Sequence, residues 1–197
     1  MMRRLTLCFS LIAMIASPLV IAGDERGQFA IRGAGVLTCG IYVQARADRD
    51  DIYVATAAWL DGYVTGVNQH AANTYDALSF EGAELLMAVV DNHCRANPDD
   101  SVFGVVSNLI SKIWDDRLST RSDKHVIAFG ERETQLYVSL VERTQHALAD
   151  RGFYSGEKDG RYEGSVIDAM KAFQASQGME PTGFPDQRSL WQLLRDG

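Results

Sequence analysis

The sequence predicts an all-α protein in two parts, an N-terminal disulfide-stapled four-helix domain and a C-terminal three-helix module. Three observations predict it. Apolar residues recur three and four apart through the first half, most clearly at Tyr53, Ala57, Leu60, Val64 and Val67, the period of a helix with one buried face. Cys39 and Cys94 fall on such apolar faces. The last quarter, Leu140 to Leu194, reads helix, glycine loop, helix, glycine loop, helix.

The chain has 197 residues, 46% hydrophobic and 23% charged, which suits one or two small globular domains. Residues 1–22 read as a signal peptide: Arg3 and Arg4, then an apolar run from Leu5 to Leu19, then Val20-Ile21-Ala22 before a mature start at Gly23. The apolar run is short for a membrane span, so a membrane is a partner only if the segment stays uncleaved. Cleavage removes two arginines and no acid, leaving the chain more acidic than its formal −7. Such a balance excludes nucleic acid and anionic lipid surfaces as natural partners, and the expected location is the periplasm.

Two cysteines then remain, and an even count in an exported protein favours a Cys39–Cys94 disulfide. It would close a loop of roughly fifty residues and contribute about 4 kcal/mol. The alternative, a Cys/His metal site with His93 or His70, lacks repeated ligand spacing. No metal or other cofactor is expected.

Taken in order, the glycine-bearing residues 23–35 read as a mobile lead-in. A first helix begins near Leu37, with Cys39, Val43 and Ala47 on related faces. The second runs from Tyr53 to Val67. Its Gly62 and Gly66 lose helix stability of up to about 1 kcal/mol each, and another helix packed close against them would compensate. The third begins at Glu81 and carries Leu85, Leu86, Val89, Val90 and Cys94 before Asn97-Pro98 stops it. Asp99, Asp100 and Ser101 are N-cap candidates for a fourth helix reaching about Leu118. The expected domain is residues 36–118 and the linker residues 119–133. Within the linker, Val126-Ile127-Ala128-Phe129 reads as a short strand or an apolar tether. The C-terminal module occupies residues 134–197, its first helix starting near Glu131 or Thr134.

In the last third, Gln145, Leu148, Gly152, Tyr154, Gly156, Asp159, Gly160, Tyr162, Ala169, Phe173, Gln174, Gly178, Thr182, Gly183 and Leu190 form an ordered set. Gly152 suits a left-handed helix cap, Asp159-Gly160 a tight turn, and Tyr162 and Phe173 a small core. The set resembles the type 1 peptidoglycan-binding domain, a three-helix module that holds bacterial cell wall without cutting it. Two positions depart from that family. Glu163 stands where it usually has glycine, with Gly164 one later, and Val166 replaces a helix-starting Thr; Ser165, with Asp168, is expected to take over the cap. The resemblance implies a shallow wall-binding groove of loops and helix ends, with Tyr154, Asp159, Arg161, Tyr162 and Gln174 as its candidates. A Tyr face can stack on sugar and Arg161 can pair with a stem-peptide carboxylate, whereas Tyr162 and Gln174 equally suit a structural role.

A second set, Thr38-Cys39-Gly40-Ile41-Tyr42, Ala58 to Asn68, and Asn92-His93-Cys94-Arg95-Ala96-Asn97-Pro98, resembles small exported helical proteins of the HdeA-like acid-stress chaperone and type VI secretion immunity kinds. It implies a binding role for the N-terminal domain. No enzyme is expected. His70, His93, His125 and His146 form no zinc pattern, no nucleophile elbow is present, and Glu81 and Glu84 read as favourable charge at a helix start. The leading expectation is therefore an exported wall-binding protein whose N-terminal domain binds another protein. The alternatives are a wall-anchored immunity or inhibitor protein and an acid-stress chaperone.

Overall fold

The structure, a computed structural model, describes residues 23–195. The signal peptide expected over residues 1–22 lies outside them. Contacts divide the chain into two units, one ending at Ile31 and one starting at Arg32. In the first, Asp24 Oδ1 accepts from the backbone N–H groups of Arg26 and Gln28 at 2.8 and 2.9 Å, closing a local turn.

The second unit opens on a 3-10 turn, Gly33–Val36, with Ala34 and Gly35 buried. Part of the expected lead-in is therefore packed structure. Gly33 sits at φ 59° with its α-carbon against the Trp59 ring, where a Cβ would meet Cδ1 at 3.0 Å. Helix α1 spans Cys39–Asp48, α2 Asp51–His70, α3 Ala83–Ala96 and α4 Val102–Lys112. Caps explain two of these starts. Asp50 accepts from Tyr53 N at 3.0 Å and Ser101 from Gly104 N at 3.1 Å. The apolar stripes meet in one core of Cys39, Tyr42, Leu60, Leu86, Met87, Val90, Cys94, Val102, Val106 and Ile110. Within it the Cys39–Cys94 disulfide joins α1 to α3 as expected. Tyr42 is wholly buried and donates to Met87 O at 2.5 Å; burial pushes its hydroxyl up to about 12.

Three expectations for this half are corrected. Helix α4 ends at Lys112 rather than near Leu118, and a 3-10 turn, Trp114–Asp116, follows. Asp115 and Asp116 would place negative charge at a helix C-terminus, and the Asp116 carbonyl is taken by Arg143 at 2.8 Å. Gly62 and Gly66 have no neighbouring helix: a Cβ at either meets nothing within 4 Å among the described residues. Glu81 is not a dipole-facing charge. It lies before the Gly82 N-cap of α3, buried, and pairs with Arg195. Glu84 is in the first turn and pairs with Arg46 at 2.9 Å.

The fold is mostly helical rather than all-α. Strand β1, Lys124–Phe129, pairs antiparallel with β2, Arg132–Tyr137, in the register Phe129↔Arg132 to Lys124↔Tyr137. Gly130, at φ 60°, supplies the first position of the two-residue turn. The helix expected from Glu131 or Thr134 is thus a strand up to Tyr137. The partner strand offered by the glycine turn overrides local propensity, and the expected strand or tether at 126–129 is a strand.

Helices α5 (Val138–Asp150), α6 (Ser165–Ser176) and α7 (Gln187–Leu194) follow. Their core holds Leu140, Val141, Leu148, Tyr162, Val166, Met170, Phe173, Leu190 and Leu193, joined by Ile127 and Leu136 of the hairpin and by Leu118. Ser165 does not cap α6. It is the first helical residue, the cap position is Gly164 at φ 53° without a side-chain bond, and Asp168 pairs instead with Lys171 at 3.3 Å.

Candidate wall-binding site

The two glycine loops of the C-terminal module are built on one plan. Buried Gln145 on α5 accepts from Gly160 N at 3.0 Å and donates to Asp159 Oδ1 at 3.0 Å and to Arg161 O at 3.1 Å. Buried Gln174 on α6 accepts from Gly183 N at 2.7 Å and donates to Phe184 O and Ser189 Oγ, both at 2.9 Å. Each amide therefore meets both hydrogen-bonding needs of a loop that crosses its helix, which a buried amide requires. Both glycines sit at φ 73°, and both lie hard against a residue two turns ahead of the glutamine. A Cβ at Gly160 would meet Val138 Cγ1 at 2.5 Å, and one at Gly183 would meet Ile167 Cγ2 at 2.7 Å. Only glycine tolerates both the backbone angle and the approach. Gln145 stands out in the sequence as a member of the ordered set; its clamping role becomes visible only with the loop in place.

The five candidate residues separate by depth. Gln174 is a clamp, as described. Tyr162 is buried, and its hydroxyl donates to Gly183 O at 3.0 Å, tying the first glycine loop to the second. Burial holds that hydroxyl far above the ordinary tyrosine range. Both side chains are buried. Asp159 is exposed. The Gln145 amide, and then the backbone N–H of Arg161 at 3.1 Å, hold its carboxyl below the usual carboxylate range. Arg161 is 70% exposed, steadied by Asp159 with Nε 3.8 Å from Oδ2. Tyr154 is half-buried. Its hydroxyl donates to Glu157 O at 2.7 Å, and its ring covers Gly156, where a Cβ would overlap it.

Sequence reasoning missed the hairpin's part in this region. His125, Val126 and Ile127 of β1 face Arg161, Tyr162 and Glu163 across an open cleft of about 370 Å³. The hairpin is fixed to the module by buried Ile127 and by Phe129, whose ring meets Phe184 edge-on at 5.7 Å. A larger cavity, about 550 Å³, lies on the helical half between α3 and α4 over Val89, Val105 and Leu109. At its rim His93 Nε2 lies 2.7 Å from Asp100 Oδ2, while Ser101 Oγ is spent on capping α4. Among the described residues no group of three or more His, Cys, Asp or Glu could hold a metal ion, and no helix is long and apolar enough to cross a membrane.

Three helices around a small core, with two glutamine-clamped loops between them, define a compact helical module. Residues 138–193 match the family model described as "Putative peptidoglycan binding domain". The match begins at the first residue of α5 and ends within α7, so it covers the three C-terminal helices, and the hairpin lies just outside it. No curated protein and no solved structure matches the chain.

Proposed function

We propose that this is an exported, cell-wall-associated binding protein that grips peptidoglycan through residues 138–193 and cuts nothing. The family match carries the reading. The loop geometry supports it: the Gln145 clamp and the Asp159 brace hold Arg161 out toward solvent, a cation placed to pair with a stem-peptide carboxylate. Arg161 and the Tyr154 ring are the ligand-facing groups, Asp159 positions Arg161, and Tyr162 and Gln174 shape the loops from within. Residues 36–118 form the second functional domain and meet a protein partner. In its favour, the exposed apolar residues Val36, Ile41, Ile52 and Val54 all lie on that half.

Sedimentation with purified sacculi tests the reading. The mature chain from Gly23 is expected in the pellet, with Arg161→Ala partly released to the supernatant. Full recovery of the wild-type chain in the supernatant would overturn it. Release of soluble muropeptides during the incubation would replace it with a hydrolase.

A further inference from the structure

The cleft between β1 and the 161–163 loop sets beside Arg161 groups that the binding reading leaves unused, Glu163 and the β1 side chains. Burial alternates along residues 161–163, exposed, buried, exposed. Tyr162 turns inward and is 8% exposed, while Arg161 and Glu163 both turn out. They stand two positions apart, one cation and one anion on the exposed side. Among the described residues the Glu163 side chain has no hydrogen bond or ion pair, and it stands where the resembled family usually has glycine. Across the cleft Val126 offers an exposed apolar rim and His125 an imidazole.

This lining is wrong for a sugar. Sugar recognition favours an open aromatic face, and the one aromatic here, Tyr162, has its ring packed in the core and its hydroxyl committed to Gly183 O. The lining is right for a zwitterion with an aliphatic stem. We infer that the cleft is a subsite for the free amino-acid end of a wall stem peptide, the ammonium and carboxylate of a diamino-dicarboxylic acid. The carboxylate pairs with Arg161, the ammonium with Glu163, and the methylene stem lies along Val126. This deepens the peptidoglycan-binding reading and rests on it. It also gives the hairpin a task, since β1 forms the wall that a module beginning at Val138 would lack.

Calorimetric titration of the mature chain tests the assignment with three probes: a synthetic stem tetrapeptide containing meso-diaminopimelate, the same peptide acetylated on its side-chain amine, and chitotetraose. The free peptide is expected to bind, the acetylated one about fivefold more weakly, as an exposed ion pair allows, and chitotetraose not measurably. Glu163→Gln is expected to bind both peptides alike at the weaker affinity; its side chain is exposed and unpartnered, so the melting curve serves as the folding control. Val126→Asp is expected to weaken both peptides. Equal wild-type affinity for the two peptides, or binding of chitotetraose in preference to them, overturns the subsite. Sacculus sedimentation, run in parallel, separates the two claims. Retention on sacculi with no discrimination between peptides sinks the subsite and leaves the wall-binding reading standing. Peptide discrimination without retention keeps the subsite and sinks wall anchoring. Loss of both sinks both.

Discussion

Arg195, at the end of the described chain, donates from Nε to Oε1 of Glu81 at 3.0 Å, although 114 positions separate them. The Glu81 side chain is fully buried and that of Arg195 is 6% exposed. Arg195 also pairs with Asp116, and Arg143 nearby donates to Asp116 O and, at 3.1 Å, to Ser79 Oγ. Gly82 N donates to Gln187 Oε1 at 3.2 Å. A polar seam thus joins the N-terminal helical half to the C-terminal module, between one core built on Tyr42 and Leu86 and another on Met170 and Phe173.

Removing one partner of a buried ion pair leaves the other charge stranded, at a cost of about 3–5 kcal/mol. Because Asp116 remains for Arg195, Glu81→Ala is expected at the low end, about 3 kcal/mol. The double variant Glu81→Met with Arg195→Met should recover most of that loss, since a matched apolar pair is often neutral. Urea denaturation checks both. A Glu81→Ala midpoint equal to wild type would mean that the pair contributes nothing.

The Cys39–Cys94 disulfide spans 55 residues of chain and joins two helices through the core. Its removal is expected to lower stability by about 4 kcal/mol through the freedom returned to the unfolded chain. Cys39→Ala with Cys94→Ala, compared with wild type in thermal melts with and without reductant, measures it. Reductant should shift the wild-type curve toward that of the double variant and leave the variant's own curve in place.

The glutamine clamps make paired predictions. Gln145→Leu leaves the Gly160 N–H without its acceptor, and Gln174→Leu does the same to Gly183. Each should cost about 1–3 kcal/mol. Gly160→Ala and Gly183→Ala should also destabilise, because each adds a collision to a strained positive φ. If the two loops are equivalent in construction, the two glutamine variants should lose similar stability in chemical denaturation. A loss confined to one of them would break the parallel.

Much of this fold is legible in the sequence because helices advertise themselves locally. The stripe from Tyr53 to Val67, the Ser101 cap and the turn glycines Gly152, Gly160 and Gly178 each need only a few neighbouring residues to be read. The cysteine pair is legible by counting. The hairpin is not, since two six-residue strands are too short to show a period, and Glu133-Thr134-Gln135-Leu136 fits the start of a helix as well as a strand. The Glu81–Arg195 pair is illegible for another reason: its partners meet only when both halves are folded. Gly62 and Gly66 show a third limit. Spacing suggests a packed face, yet a glycine in a helix reads the same whether a neighbour covers it or solvent does. At the site, the sequence marks Arg161 and Asp159, but the wall facing Arg161 comes from β1, outside the matched span.

Acid should act on the candidate site through Asp159. Its carboxyl is held below its ordinary value of 3.8, first by the Gln145 amide and then by the backbone N–H of Arg161. A folded pKa below the unfolded one means that the carboxylate stabilises the folded loop above the unfolded value, and that this contribution fades as pH falls through the folded one. The window therefore opens below pH 3.8, well under neutrality, and wall binding at pH 5–7 should not depend on the protonation of this group. Carboxyl NMR titration of Asp159 is expected to give a midpoint below 3.8. In Gln145→Leu, which removes the largest cause, that midpoint should rise toward the ordinary value. A midpoint unmoved by the substitution would show that the Gln145 bond does not hold the carboxylate, and with it the brace that sets Arg161 toward a ligand.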